Sequence, residues 1–231
     1  MLIVTGTGRC GSSMWMQVLS AAGLPIVGQR FGPGQDPSLN PQGYFESALM
    51  HGINPSSNPN PVSGAELTPE LPVGVKVSIP GVRLTERKYL DKVLLSVRPW
   101  RDYAASLARM HSISPPAESG LSADRAWFVQ HLALLQDAAH RRLGLQRVWL
   151  PDVVACPSQV LPKVFEWLEL PLDPVAGAVA IHAPQLQSGA SGESPWESEI
   201  LRLEAHMRSM GAIGSADLAW AEPVAAAMQT V

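Results

Sequence analysis

The residues best suited to chemistry come first in the chain. Gly6-Thr7-Gly8-Arg9-Cys10-Gly11-Ser12-Ser13 follows the apolar run Leu2–Thr5 and opens a segment of helical periodicity. Glycines at such spacing let main-chain N–H groups wrap an anion at a helix N-terminus, where the macrodipole favours negative charge. Two frames fit. Gly6, Gly8 and Gly11 satisfy the dinucleotide fingerprint G-x-G-x-x-G, whereas Gly6, Gly11 and Ser12-Ser13 satisfy the phosphate-loop frame G-x-x-x-x-G-x-[ST]. In the second frame Ser12 stands where nucleotide triphosphatases carry lysine, and Arg9 lies inside the loop.

A second anion site is legible far downstream. Arg98 ends the apolar run Val93–Val97, and Ser106 follows in the next helix. A strand-end arginine and a first-turn serine can converge on one phosphate. The dinucleotide frame has its own support in Arg30, which follows Leu24–Val27 and suits the 2′-phosphate of NADP. No Tyr-x-x-x-Lys pair follows for hydride chemistry, since Tyr89 and Lys92 have the wrong spacing. No strand ends in an acidic magnesium ligand of the kind phosphoryl transfer uses. A loop without lysine and without a metal ligand suggests a transferred group less charged than phosphoryl. The six histidines show no metal spacing, so no metal is expected. Cys10 has no role as a nucleophile in a direct transfer, and Arg101 either neutralises a phosphate or faces solvent.

Strands and helices must hold these groups. Leu2–Thr5, Val73–Ser78, Val93–Val97 and Arg147–Leu150 read as strands. A helix capped by Ser12 or Ser13 runs to Ala22 and stops at Gly23, and another is capped by Asp102 and runs through Met110. Further helices are expected at Ala123–Leu143, Pro157–Leu170 and Glu197–Met210, ahead of an alanine-rich tail. Residues 25–72 are rich in proline, glycine, asparagine and serine, with one helical turn around Glu46–His51. So long an irregular stretch reads as a lid or binding loop. A second Ser/Pro/Gly loop covers 112–122 and a Gly/Ser loop 187–194. Trp15 and Trp100 flank the two anion elements and are candidates for stacking on an adenine.

Strands alternating with helices imply a three-layer α/β/α fold with a central, mainly parallel sheet of the P-loop nucleotide-binding type. One domain, 1–231, is expected, with a lid at about 28–72 and a helical tail at about 195–231. The chain is 46% hydrophobic with a formal net charge of −3, which opposes generic binding to nucleic acid or anionic membranes. Two cysteines, no secretory leader and no apolar run of ~20 residues predict a soluble cytoplasmic protein.

The run Thr5–Met14, with Arg9-Cys10-Gly11-Ser12-Ser13, resembles the 5′-phosphosulfate loop of sulfotransferases that use 3′-phosphoadenosine 5′-phosphosulfate (PAPS). Val93–Asp102 with Ser106 is similar to that family's 3′-phosphate element. Asn40–Glu46 resembles a Gly-Tyr-aromatic-Glu segment of bacterial members, Gly74–Ser78 the strand with an active-site lysine, and Val148–Leu170 the strand, acidic turn (Asp152) and helix that follow. The resemblance covers about residues 1–170. It implies PAPS as co-substrate, a small-molecule hydroxyl or amine acceptor, and a nucleotide site of Gly8, Arg9, Cys10, Gly11, Ser12, Ser13, Arg98 and Ser106. Arg9, Lys76 and Glu46 are then the catalytic candidates. Many relatives place a basic histidine on the Lys76 strand, where this chain has Ser78, which makes Glu46 the leading general-base candidate. Gly189–Gly192 is the candidate for the family's C-terminal nucleotide loop. An NADP oxidoreductase, a P-loop kinase and a non-catalytic nucleotide-binding protein remain as alternatives.

Overall fold

Every residue of β1 (Leu2–Thr5) is buried, and alternate side chains leave it in opposite directions. Leu2 and Val4 enter one hydrophobic cluster and Ile3 the other, so the strand is covered on both faces. The same division recurs in β4 (Lys92–Val97), where Leu94 opposes Val93 and Leu95. With β2 (Ile26–Val27), β3 (Gly74–Lys76) and β5 (Gly144–Trp149) these strands form one five-stranded sheet of order β2-β3-β1-β4-β5. All its pairings are parallel, with Ile3 level with Val75 on one side and Val93 on the other. The computed structural model describes residues 1–38, 40–60, 66–113, 121–181, 193–209 and 214–230.

Helices cover both faces. Against the first lie α1 (Ser12–Ala21), α5 (Leu150–Ala155), α6 (Pro157–Leu168) and α7 (Pro174–Val179). Against the second lie α2 (Ile79–Arg83), α3 (Trp100–Ile113), α4 (Ala123–Arg141), α8 (Glu197–Arg208), α9 (Ser215–Leu218) and α10 (Glu222–Thr230). This is the expected three-layer α/β/α arrangement. From β1 the chain crosses through α1 to β2 and β3 on one side, and then to β4 and β5 on the other. Connections that diverge on either side of one strand leave a crevice beyond the strands' carboxyl ends. Gly6, Val77 and Arg98 follow β1, β3 and β4 at that crevice.

Several local expectations change. The N-cap of α1 is Gly11 with φ +90°, not Ser12 or Ser13; Ser12 is already helical. Asp102 lies inside the first turn of α3, which begins at Trp100, and the Trp100 N–H is capped by Glu204 Oε1 of α8 at 2.7 Å. β5 starts at Gly144, earlier than the apolar run suggested, and Leu150 begins α5, which has Pro151 in its first turn. Helix α7 was not expected either; the Asp173 carboxylate caps it by accepting from the N–H groups of Val175 and Ala176. The helical tail is divided, with a 3-10 turn at Ala219–Ala221 between α9 and α10.

The described part of the 28–72 segment is pinned rather than loose. Gln29 N–H donates to Glu46 O and Tyr44 N–H to Arg30 O, forming a short antiparallel contact. Beyond it, the 3-10 turn Ala48–His51 packs on α2, and buried Ile53 donates its N–H to Thr85 Oγ1 at 3.0 Å. Among the described residues of the segment, only those from Asn40 to Met50 reach the crevice. The Gly189–Gly192 candidate and residues 114–120 of the second loop lie outside the described residues.

Candidate functional site

A cavity of about 370 Å³ occupies the crevice. Its floor is the turn from β1 into α1, contributed by Gly6, Gly8, Arg9, Gly11, Ser12 and Ser13. The path of this turn depends on missing side chains. A Cβ at Gly6 would stand 2.6 Å from Ser96 O and 2.3 Å from Cys10 Sγ, so β4 and the loop close directly on this residue. A Cβ at Gly11 would stand 2.7 Å from Leu150 Cδ1 at a left-handed φ. Arg9 takes φ +64° without being glycine, a conformation that costs on the order of 1 kcal/mol and clusters at functional loops. The first N–H groups of α1 have no carbonyl partner within the helix, and that turn faces the cavity.

Sequence-distant groups fix the loop from beneath. Ser96 Oγ donates to Cys10 O at 2.7 Å, and Arg98 Nη1 donates to Arg9 O at 3.1 Å. Arg9 Nε in turn donates to Ser106 Oγ at 3.3 Å, across 97 residues. The residues read as two anion elements are therefore joined in space. Arg98 lines the cavity yet is only 4% exposed, and its Nε and Nη2 have no hydrogen-bond partner. Burial, reinforced by the charges of Arg9 and Arg109 and opposed by Asp102, pulls its pKa below the ordinary guanidinium value. Two unpartnered donors on a buried guanidinium that lines the cavity suit an anionic partner there. The main chain of Arg98 is held as well, because Trp127 Nε1 donates to Arg98 O at 2.8 Å. His131 stacks on Trp127 and bonds its carbonyl oxygen at 2.7 Å.

The opposite wall carries the remaining charges. Lys76 is 9% exposed and donates to Ser13 Oγ at 3.1 Å, Glu46 Oε1 at 2.9 Å and Tyr44 O at 3.3 Å. Glu46 Oε2 accepts from Gln35 Nε2 at 2.8 Å, and Gln35 Oε1 accepts from Gly32 N–H at 2.7 Å. That second bond fixes which way the Gln35 amide faces. The lid is clasped to α1 by Gln17 Nε2, which donates to Gly43 O at 2.8 Å. Tyr44 O–H donates to Asp36 O, and burial raises the Tyr44 pKa, with Arg9 opposing and Asp36 and Glu46 reinforcing.

Gly8, Arg9, Gly11, Ser12, Ser13, Glu46, Lys76 and Arg98 line this one cavity. Ser106 lies just beneath it, 5% exposed, against Arg9. Cys10 does not reach it. The thiol is fully buried beside Gly6, and that burial raises its pKa, which leaves it protonated and unreactive. Trp15 and Trp100 are also corrected as stacking candidates. The helix phase that sends Ser13, Met14 and Gln17 to the cavity turns Trp15 into the core, and Trp100 is buried on the other face of the sheet. Arg101 forms an ion pair with Glu197, and the guanidinium of Arg30 donates to the carbonyls of Pro41 and Gln42. Ser78 serves as a cap, accepting from Gly81 N–H and donating to Met50 O.

Sequence reading missed Gln17, Gln42 and the apolar wall of Met14, Met50, Leu150 and Val154 in the cavity, and Gln35 behind Glu46. Neutral amides and methionines carry no spacing signal; only the periodicity of α1 placed Gln17 on the face of Ser13. A larger groove, about 1100 Å³, runs beside β5. Two of its cations are already engaged: Arg147 donates to His206 O and Ser209 O, and Arg208 lies over the Trp149 ring.

No family model and no curated protein matches the sequence. Among solved structures the chain is similar to the sulfotransferase domain from the Synechococcus PCC 7002 olefin synthase. The two share 15% identity and a TM-score of 0.46, over 99% of this chain and 94% of that one. At so low a score the likeness carries no weight, and the site stands on its own geometry.

Proposed function

We propose that the protein is a sulfotransferase that moves a sulfuryl group from PAPS to a small-molecule acceptor. The observation that carries this reading is the pair of unpartnered donors on buried Arg98, in the same cavity as a glycine-rich anion loop. A nucleotide with anions at both ends would satisfy both features. The 5′-phosphosulfate would lie on the first turn of α1, with Ser12 and Ser13 adding hydroxyl bonds. The 3′-phosphate would take Arg98 and Ser106, with Arg9 linking the two sites.

Sulfuryl transfer is an in-line displacement in which positioning and electrostatics dominate, as in phosphoryl transfer. The acceptor oxygen forms a bond to sulfur while the bond from sulfur to the bridging phosphate oxygen breaks. Lys76, held by Ser13, and Arg9 would stabilise the charge that grows on the departing oxygen. Glu46 would take the acceptor's proton. Its carboxylate is aimed by Lys76 on one oxygen and Gln35 on the other.

The strand order and Arg30 both disfavour a dinucleotide oxidoreductase. In dinucleotide-binding sheets the second strand pairs directly with the first, whereas here β3 separates them. Arg30, the candidate for a 2′-phosphate, already satisfies main-chain carbonyls. The test compares thermal stabilisation by 3′-phosphoadenosine 5′-phosphate (PAP), by ATP with magnesium, and by NADPH. A ligand that binds only the native state raises Tm with its saturation. PAP should give the largest shift; a larger shift with either of the others would overturn the proposal.

A further inference from the structure

We infer that the acceptor is an uncharged alcohol, and that carboxylate, phosphate and ammonium compounds are excluded. The inference rests on the sulfuryl-transfer reading and follows from the charges facing the cavity. Arg9, Lys76 and Arg98 are its cations and Glu46 its carboxylate. Arg98 donates to Arg9 O, and Arg9 donates to Ser106 Oγ, at the end assigned to the 3′-phosphate. At the other end Lys76 and Glu46 are ion-paired at 2.9 Å and cancel.

No other lysine or arginine can be recruited from the segments lying outside the described residues. Residues 39, 61–65, 114–120, 182–192, 210–213 and 231 contain no lysine or arginine. PAPS itself brings three anionic groups against Arg9 and Arg98, with Lys76 already paired to Glu46. An acceptor carboxylate or phosphate would enter with no positive partner, and uncompensated like charges at an interface cost several kcal/mol. An ammonium group would find only Glu46, whose negative charge Lys76 already balances at 2.9 Å. It would also have no lone pair with which to attack sulfur. Among the described residues, what remains on the walls is neutral. Gln42 and Tyr44 offer hydrogen bonds, and Met50 and Val77 offer apolar surface beside Lys76.

The experiment uses the full chain saturated with PAP. Calorimetry first measures PAP binding alone, and saturation-transfer NMR then compares benzyl alcohol, cyclohexylmethanol and 1-octanol with 4-(hydroxymethyl)benzoate and 4-(aminomethyl)benzyl alcohol. At least one neutral alcohol should bind about tenfold or more tightly than both charged compounds, a difference of about 1.4 kcal/mol. In Gln42→Arg, which adds a cation to the wall, the benzoate should gain binding. Charged compounds binding as well as neutral ones to the unaltered protein would overturn the inference, as would failure of every neutral alcohol to bind. Failure of PAP in the first step overturns the nucleotide reading, and the acceptor inference falls with it.

Discussion

Replacing Arg98 with methionine separates function from stability at one atom group. Methionine fills a similar volume beneath the loop but has no donors. In the proposed complex Nε and Nη2 give two charge-assisted bonds to the 3′-phosphate, each worth about 1.5–3 kcal/mol. Arg98→Met should therefore weaken PAP binding by about 3–6 kcal/mol, roughly 10²- to 10⁴-fold in Kd. AMP lacks the 3′-phosphate, and its affinity should change by less than about threefold. The free protein should respond in the opposite direction. Each orphan donor on a buried group costs about 1–3 kcal/mol, against about 1 kcal/mol lost with the bond to Arg9 O. Tm should hold or rise, at about 2–4 °C per kcal/mol for a chain of this size. Calorimetry with PAP and AMP and a thermal melt test both signs. PAP affinity within about threefold of the unaltered protein, or a Tm lowered by more than ~5 °C, would refute the argument. The second result would mean that the guanidinium is satisfied without any ligand.

Gly6→Ala should cost about 3 kcal/mol, because its Cβ meets the main-chain Ser96 O at 2.6 Å; Gly8→Ala, with nothing within 4 Å, should leave the urea midpoint unchanged. Trp127→Phe removes the buried bond to Arg98 O and should lower stability by about 1–2 kcal/mol, measured by urea unfolding. Glu46→Gln should suppress transfer from PAPS at least about 100-fold while PAP binding stays within about threefold; a rate near that of the unaltered protein removes Glu46 as the base. Buried His131 has its pKa lowered from 6.5 to about 4 by desolvation, with its bond to Trp127 O opposing. The unfolded chain then binds the proton more readily, so stability is complete above pH 6.5 and falls as pH drops toward 4. Between pH 7.5 and pH 5 the loss from this group is about 2 kcal/mol, and His131→Phe should flatten that part of the urea-midpoint profile.

The fold was legible where one physical signal dominated. Buried parallel strands such as Leu2–Thr5 and Val93–Val97 are short apolar runs, and nothing competes with that reading. Two of the misread boundaries depend on distant groups. The first N–H of α3 is capped by Glu204, from a helix about a hundred residues later, so no local pattern could identify Trp100 as its start. Ser12 and Ser13 have the chemistry of caps, but Gly11 took that place because Leu150 packs where its side chain would stand. Trp15 and Trp100 sat beside the anion elements in sequence, and helix phase turned both into the core.

The site shows the same division more sharply. Both frames of the opening loop rest on the same physics of glycine and helix N-terminus, so no inspection of residues 6–13 alone can choose between them. What differs is the strand that lies beside β1, a non-local fact set by whether the chain returns next to its first strand or one position beyond. Here it returns beyond, and β3 fills the gap with Lys76 at its carboxyl end. That single displacement puts a cation beside Ser13 and leaves Glu46, carried in by the lid, as its counter-charge. Arg98 on the other neighbour of β1 reaches the loop from the opposite side. The charge pattern around the loop is thus a consequence of strand order, and a sequence motif records only the loop.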